Sequence, residues 1–317
     1  MRQISSVAVQ AEKIYTATKS ICWYNKTKLL NKFYLLQNII LIKNKKLFEI
    51  KKDVKNYKIY ADRAEINMKN FVINVKENRK RLETFISSNR NDQNPIEVFE
   101  AVTPSKIEQN RSYYAGVLNE GCEYAPIPLS IALSHLHLWN KCIELDENVT
   151  IMEDDLVLNH NFFDLRDKHI NTLKNFDLLV LGFNTDWPVE IDFGGGIPKT
   201  SLIFSDDVSD RNLTDEQFCF PRLNAFAGAC CYVLTPQGAR KLREAVFPLT
   251  KDTYLLRNAN SFWERDFHYV AWNNLGIDIA MTLALSKLEA RICLPPISSP
   301  KNDWGDSSMQ RYQHAAC

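Results

Sequence analysis

The sequence TIMEDDLVL, residues 150 to 158, places three consecutive carboxylates between two apolar runs. The apolar residues before the acids predict a short buried β-strand. Side chains alternate between the two faces of a strand, so we expect Glu153 and Asp155 to point one way and Asp154 the other. Acids that follow a buried parallel strand lie at the edge where open α/β sheets bind ligands. The segment therefore predicts a ligand site built on Glu153 and Asp155.

The chemistry of two neighbouring carboxylates indicates what that ligand contains. Carboxylates held close together repel each other and lose solvation unless a positive charge joins them. A divalent cation that prefers oxygen ligands, Mn²⁺ or Mg²⁺, is the natural partner, particularly one shared with phosphate groups. The alternative is a surface turn with three solvated acids. The apolar residues on both sides, TIM before and LVL after, favour the metal site.

Short apolar strands alternate with amphipathic helices along the rest of the chain. This alternation predicts an α/β fold with a mainly parallel central sheet. The predicted strands are FVINV (71–75), IEVFEAV (96–102), VTIM (149–152), DLLVLGF (177–183) and AFAGACCYVL (225–234). The predicted helices are 76–88, a helix that begins at Pro126, PQGARKLREAV (236–246) and SFWERDFHYVAWNNLG (261–276), the last closed by Gly276 as a C-cap.

Charge divides the chain into a basic extension and an acidic globular part. The formal net charge of the 317 residues is +1, but residues 1 to 70 hold 15 Lys and Arg against 5 Asp and Glu. We therefore predict a basic N-terminal extension over residues 1–67 and a globular domain over residues 68–317. The extension either forms amphipathic helices on an anionic membrane surface or is poorly ordered, and Met68 is an alternative start.

Size and cysteine content exclude several classes of protein. A chain of 317 residues, 45% of them hydrophobic, buries a large core, so a small disulfide-stapled fold is excluded. The start lacks the apolar segment of a signal peptide, and the longest apolar run, 33–42, is too short to span a bilayer. Eight cysteines without a C-x-x-C pair indicate reduced thiols. We expect a cytoplasmic protein, or one peripheral to the cytoplasmic face of the inner membrane, without a nucleic-acid partner.

Four motifs together resemble glycosyltransferase family 25, whose members include lipooligosaccharide galactosyltransferases and the related collagen galactosyltransferases. They are VINV (72–75) followed by Arg81, ALSHLHLW (132–139), TIMEDD (150–155) and G-x-x-x-YVLT-x-x-GARKL (228–242). The resemblance extends over about residues 69–300. It implies a GT-A fold, a nucleotide-sugar donor, usually UDP-galactose, and a lipooligosaccharide or related glycan acceptor. It also implies an acidic motif that holds Mn²⁺ or Mg²⁺ against the diphosphate.

The resemblance assigns roles to individual residues. Glu153 and Asp155 match the acidic motif, with Asp155 expected to contact the metal directly and Asp154 counted with the donor-binding residues. By the same resemblance, four further residues lie near the nucleotide or the donor, namely Asn74, Arg81, Ser134 and His135. The chain departs from the family before the Ser-His pair. Many members have a Gly-Glu-x-Gly-Cys-Ala run there, where this chain has PIPLSIALSH (126–135).

Transfer of a hexose would displace UDP from the anomeric carbon by an acceptor hydroxyl, which requires a base. The resemblance favours Asp266, with Glu264 as the alternate, and it implies an inverting reaction. The alternative for Asp266 is a helix N-terminal acid that is stabilised by the helix dipole. Two other functions stay open: a catalytically inactive glycan-binding or scaffold protein on the same fold, and a metal-dependent phosphohydrolase.

Overall fold

The computed structural model describes residues 68–301, except 90, 92, 174, 196–198, 205–217 and 259–267. These residues belong to one compact unit, Asn67–Cys317. The predicted basic extension, residues 1–67, lies outside the described residues. The choice between membrane-surface helices and a poorly ordered segment therefore stays a prediction. Within the described part of the chain, no helix has the length and apolar character needed to cross a membrane.

A nine-stranded sheet forms the centre of the fold, in the strand order β2-β1-β3-β9-β5-β12-β8-β6-β7. Two small two-stranded sheets, β10-β11 and β4-β13, accompany it. The strands are β1 Lys69–Asn74, β2 Ile96–Glu100, β3 Val149–Glu153, β4 Leu156–Leu158, β5 Leu178–Gly182, β6 Val189–Asp192, β7 Thr200–Leu202, β8 Arg222–Ala225, β9 Cys231–Leu234, β10 Thr253–Asn258, β11 His268–Asn273, β12 Ala290–Ile292 and β13 Ser298–Pro300.

The central sheet is mixed rather than mainly parallel. β1 pairs in parallel with both β2 and β3, and β12 pairs in parallel with β5. β9 lies between β3 and β5 and runs antiparallel to both, while β6, β7 and β8 continue the sheet in antiparallel fashion. Helices connect β1 to β2 and β2 to β3, as parallel crossovers require, whereas a short loop joins β8 to β9. The predicted α/β class is therefore confirmed, and the predicted parallel pairing holds for β2-β1-β3 and for β5-β12.

The described residues form six α-helices: α1 Arg79–Asn89, α2 Pro104–Gln109, α3 Pro126–Leu145, α4 Phe162–Thr172, α5 Pro236–Val246 and α6 Ile277–Ala284. Both α3 and α5 begin with proline, where the missing amide proton costs nothing. Thr235 caps α5 by accepting a hydrogen bond from the Gly238 amide at 3.0 Å. These starts agree with the sequence prediction.

Both faces of the central strands are buried. On one face Trp139 of α3, Leu242 of α5 and Met281 of α6 belong to a single apolar core with Phe71 of β1 and Ile151 of β3. On the opposite face of the same strands, Val72 and Met152 are also fully buried. Alternation along each strand therefore supplies buried apolar side chains to both faces of the sheet.

Two predicted elements differ in the structure. AFAGACCYVL is not one strand: β8 ends at Ala225 and β9 begins at Cys231, and the loop between them contains Gly228 at φ +75°. The described end of SFWERDFHYVAWNNLG is a strand, β11, which pairs with β10, so the predicted helix is wrong there. Trp272 is 4% exposed and alternates with exposed neighbours, and packing of this face on Ala225 and Ile279 stabilises the strand.

Gly276 begins a helix instead of ending one. It is the N-cap of α6, with an extended backbone at φ −151° and ψ 160°. The predicted C-cap at Gly276 is therefore wrong, because the helix that it was meant to close is a strand.

Candidate active site

The carboxyl ends of β1 and β3 lie side by side at one edge of the sheet. Ile73 pairs with Glu153 in the parallel register, so Asn74 and the acids after Glu153 emerge at the same place. β3 ends at Glu153, and Asp154 and Asp155 occupy the turn that leads into β4. The acids and Asn74 therefore lie together at the edge of the sheet where open α/β folds bind ligands.

Asp154 is buried and held by two side chains of other elements. It is 6% exposed, and Asn74 donates a hydrogen bond from Nδ2 to its Oδ2 at 2.5 Å. The Nε atom of Arg81 lies 2.6 Å from its Oδ1. Burial raises the pKa of Asp154 above its ordinary value, although the Arg81 charge and the Asn74 hydrogen bond oppose the shift. Asp154 therefore anchors the turn to β1 and α1.

Asp155 shares the same arginine but keeps one oxygen without a partner. Its Oδ2 lies 2.9 Å from Nη2 of Arg81, whereas its buried Oδ1 has no hydrogen-bond partner among the described residues. Burial, followed by the charge of Glu153, raises the pKa of Asp155 to about 6. A positive charge beside Oδ1 and Glu153 would oppose the effect of both causes on the pKa.

The predicted separation of Asp154 from Asp155 is wrong. Arg81 contacts Asp154 and Asp155 together, so these two acids lie on one side of the turn. Glu153 lies close enough to Asp155 for its charge to raise the pKa of that acid, and it also lies near His135, whose Nε2 is 3.7 Å from Glu153 Oε1. The reason is that β3 ends at Glu153, and the period of two that holds in a strand does not continue through a turn.

Ser134 and His135 are both fully buried in α3. The Ser134 hydroxyl donates to the Ser130 carbonyl at 2.8 Å and accepts from the Val102 amide at 2.9 Å, so it ties α3 to the end of β2. The imidazole of His135 contacts the Tyr232 hydroxyl at 2.7 Å. The structure therefore places His135 beside Glu153, whereas the Ser134 hydroxyl bonds to the backbone of Ser130 and Val102.

Asp278 is a residue of this site that sequence reasoning missed. Its Oδ2 accepts a hydrogen bond from the Gly228 amide at 2.8 Å, and its Oδ1 accepts from the Ile279 amide at 2.9 Å. Burial raises the pKa of Asp278, and the charge of Glu153 adds to the shift. The available signal was Gly276 as an N-cap, which would have placed Asp278 in a first helical turn.

The loop between β8 and β9 contacts the residues that follow β5 and the end of β3. Gly228 lies against Asn184, which follows β5, and the Asn184 amide donates to the Ala227 carbonyl at 3.0 Å. The carbonyl of Cys230 accepts from the Glu153 amide at 2.9 Å. These contacts join the ends of β3 and β5 to the loop that contains Gly228. Asp266 and Glu264 lie outside the described residues.

The donor atoms at this site fit a divalent cation that is shared with another ligand. The described side chains contain no group of three or more His, Cys, Asp or Glu residues that would hold a metal ion by themselves. Glu153, 30% exposed at its side chain, and the unpartnered Oδ1 of Asp155 are two carboxylate sources. Mg²⁺ and similar ions are commonly held by one or two carboxylates together with water and phosphate oxygens. Two acids are therefore sufficient only if another ligand, together with water, completes the coordination.

Comparisons with known proteins identify the family. The model of glycosyltransferase family 25 (LPS biosynthesis protein) matches residues 67–255, more than half of the chain. Among curated proteins, none matches. Among solved structures, the crystal structure of A197 from STIV is similar with a TM-score of 0.31 and 10% identity, over 71% of this chain and 81% of that one, which is too weak to bear on fold or function. The chain belongs to glycosyltransferase family 25.

Proposed function

We propose that the protein is a metal-dependent hexosyltransferase of the GT-A type. It transfers galactose from UDP-galactose to a lipooligosaccharide or related glycan acceptor, with inversion at the anomeric carbon. Membership in family 25 supports glycosyl transfer in lipopolysaccharide biosynthesis. The choices of galactose, UDP, metal and stereochemistry follow the resemblance and the chemistry of the acids.

The observation that carries the proposal is the excess of carboxylates over cations after β3. Among the three consecutive acids, Asp154 and Asp155 share one guanidinium, that of Arg81, and Asp155 keeps a buried oxygen without a hydrogen-bond partner among the described residues. A buried carboxylate oxygen without a donor is costly. A nucleoside diphosphate that arrives with Mn²⁺ or Mg²⁺ would supply the missing positive charge at this oxygen and at Glu153.

In this proposal some residues of the site hold the acids in position and others bind the cation. Asn74 and Arg81 hold Asp154, and Arg81 sets the position of Asp155 through the same guanidinium. Glu153 and Asp155 would hold the cation, which when bound neutralises charge on the departing diphosphate. The position of Asn74 at the end of β1 supports the predicted nucleotide contact there.

The chemical step forms a bond between the acceptor oxygen and the anomeric carbon and breaks the bond from that carbon to the diphosphate. The hydroxyl proton passes to a carboxylate. The family resemblance supports Asp266, with Glu264 as the alternate. Asp278 is a third candidate, because it lies in the described part of the site and the charge of Glu153 contributes to its raised pKa. Conservative amide variants of the three acids, assayed side by side, would identify the base by the largest loss of kcat.

The decisive experiment measures UDP-galactose turnover with Mn²⁺ and a lipooligosaccharide acceptor. Asp155→Ala should abolish turnover and Mn²⁺-dependent UDP binding, whereas Asp146→Ala, whose side chain is 79% exposed, should retain both. Equal activity of Asp155→Ala and the natural protein would refute the metal assignment. UDP binding without turnover in the natural protein would instead favour the inactive glycan-binding alternative. Phosphate release from simple esters without an acceptor would favour the phosphohydrolase.

The donor itself can be tested by thermal denaturation. UDP-galactose, UDP-glucose and UDP-N-acetyl sugars are compared with and without Mn²⁺. A ligand present at a hundred times its dissociation constant stabilises the folded state by about 2.7 kcal/mol. The largest shift is expected for UDP-galactose and only with Mn²⁺, and a larger shift for another sugar would replace galactose as the donor.

A further inference from the structure

A row of buried polar side chains runs from the core to Glu153. Trp139 donates from Nε1 to the Tyr232 hydroxyl at 2.9 Å, and the same hydroxyl lies 2.7 Å from Nδ1 of His135. The His135 and Tyr232 rings are stacked at 5.8 Å, and all three side chains are fully buried. At the end of the row, Nε2 of His135 lies 3.7 Å from Oε1 of Glu153. The glycosyl-transfer reaction as described above leaves this row unused.

The direction of these hydrogen bonds follows from the donors available. An indole N–H can only donate, so the Tyr232 oxygen accepts from Trp139. The hydroxyl proton of Tyr232 then has Nδ1 of His135 as its partner, because no other acceptor contacts it among the described residues. A nitrogen that accepts a hydrogen bond carries no proton, and in a neutral imidazole the proton is then on Nε2. The row therefore assigns the Nε2–H tautomer to His135.

This Nε2–H group faces Glu153 and has no partner of its own. Nε2 is buried without a hydrogen bond among the described residues, and 3.7 Å exceeds hydrogen-bond length. His135 is held in place by its helix and by the Tyr232 ring, whereas the Glu153 side chain is 30% exposed. A movement of Glu153 by less than about 1 Å would complete the bond and satisfy the buried donor.

We propose that His135 is a positioning residue that orients the Glu153 carboxylate through Nε2–H, with its tautomer set by Tyr232 and Trp139. The bond engages Oε1 and leaves Oε2 directed at the ligand. Hydrogen bonds from buried groups to metal-binding side chains commonly fix their orientation in this way. The assignment of Glu153 to the metal rests on the proposed function, but the tautomer and the contact do not.

The first experiment determines the tautomer directly. Long-range ¹H–¹⁵N correlation spectra of the full chain, without metal or donor, should show His135 protonated on Nε2. Tyr232→Phe removes the donor to Nδ1 and should shift the ring towards a mixture of tautomers. Tyr124→Phe, which removes another buried hydroxyl that contacts Asn274, should leave the His135 signals unchanged. A proton on Nδ1 in the natural protein, or an unaltered His135 spectrum in Tyr232→Phe, would overturn the proposal.

The second experiment separates orientation from packing with a pair of amide variants. His135→Gln places an amide N–H near the position of Nε2, whereas His135→Asn places one near Nδ1 and loses the group that faces Glu153. If His135 orients a metal-binding carboxylate, His135→Asn should weaken Mn²⁺ binding, measured by electron paramagnetic resonance, by about 10- to 100-fold, and His135→Gln should recover most of it. Equal weakening in both variants would indicate packing alone and overturn the proposal.

The two experiments also distinguish this proposal from the proposed function. The tautomer is measured without metal, donor or turnover. Failure of the natural protein to bind Mn²⁺ or to transfer galactose would count against the proposed function, while the tautomer result alone would decide whether His135 presents Nε2–H to Glu153.

Discussion

Arg81 holds Asp155 at 2.9 Å between Nη2 and Oδ2, across the space between α1 and the turn after β3. The same guanidinium lies 2.6 Å from Asp154, whose side chain is 7% exposed. Arg81 is itself only 16% exposed, so water screens these pairs weakly. One arginine therefore offsets only part of the negative charge at the candidate site before any ligand enters it.

Arg81→Gln should destabilise the protein by about 3–5 kcal/mol, because it leaves buried carboxylates without their cation. Urea denaturation without divalent ions measures this loss. Arg79→Gln, an exposed arginine in the same helix, should change the free energy of unfolding by less than about 0.5 kcal/mol. Similar losses in the two variants would show that Arg81 contributes little to the pairing of these acids.

Arg166→Met should destabilise the fold by about 3–5 kcal/mol, because a fully buried arginine joins two strands of the sheet and the turn before β2. Its Nη1 donates to Asn70 of β1 and, at 2.9 Å, to Thr150 of β3, and its Nη2 donates to Asn94 at 3.3 Å. Methionine fills the space but leaves these polar atoms without a partner.

The matched control for Arg166 is Arg243→Met, which removes an exposed arginine with one hydrogen bond, to Asn140 at 3.1 Å. We expect a change below about 1 kcal/mol in urea denaturation. A loss for Arg166→Met no larger than that of the control would mean that apolar packing replaces the polar network without cost.

The elements nearest the site could be predicted from sequence because one physical signal dominates each of them. Continuous apolar residues made β1 and β3 recognisable, and the spacing of three and four made α3 recognisable. The hairpin β10-β11 could not be predicted, because Leu256 and Trp272 become buried only through packing on Ala225 and Ile279, which are close in space but distant in sequence. A helical pattern fitted the same aromatic residues equally well.

The site was predictable in its location and not in its contacts. The acids after β3 were found because charge beside apolar strands is unusual. Their partners depend on how the turn after Glu153 directs each carboxylate, and local alternation carries no information about a turn. Asp278 was missed for a similar reason, since its relation to Gly228 joins residues 50 apart in sequence.

Gly238→Ala should lower the stability of the protein, although alanine usually stabilises a helix relative to glycine. In an exposed helix the exchange would stabilise by about 1 kcal/mol. Here a Cβ atom would overlap the backbone of Asp177, whose carbonyl accepts from the Thr235 amide at 3.1 Å and cannot withdraw freely. We expect a net loss of about 1–3 kcal/mol in thermal or urea denaturation. Gln237→Ala, exposed in the same turn, should stay within about 0.5 kcal/mol; stabilisation by Gly238→Ala would show that the helix can move away from β5.

Gly228→Ala should impair both the stability of the protein and galactose transfer, because Gly228 has a positive φ and also lies against Asn184. Its φ of +75° costs a residue with a side chain about 1–2 kcal/mol, and a Cβ atom would lie 2.5 Å from Cγ of Asn184. Gly116→Ala is the matched control, since Gly116 has φ +81° and no atom within 4 Å of an added Cβ. Both variants carry the backbone strain, and only Gly228→Ala carries the overlap.

The difference between the two glycine variants isolates the effect of the contact on catalysis. The Gly228 amide donates to Asp278, so a shift of this loop displaces a carboxylate that interacts with Glu153. A displacement of about 1 Å at an active site can reduce turnover by about 100-fold. We therefore expect Gly116→Ala to retain galactose transfer and Gly228→Ala to lose it at a temperature where both remain folded by circular dichroism. Equal turnover in the two variants would mean that the loop between β8 and β9 does not position the acids.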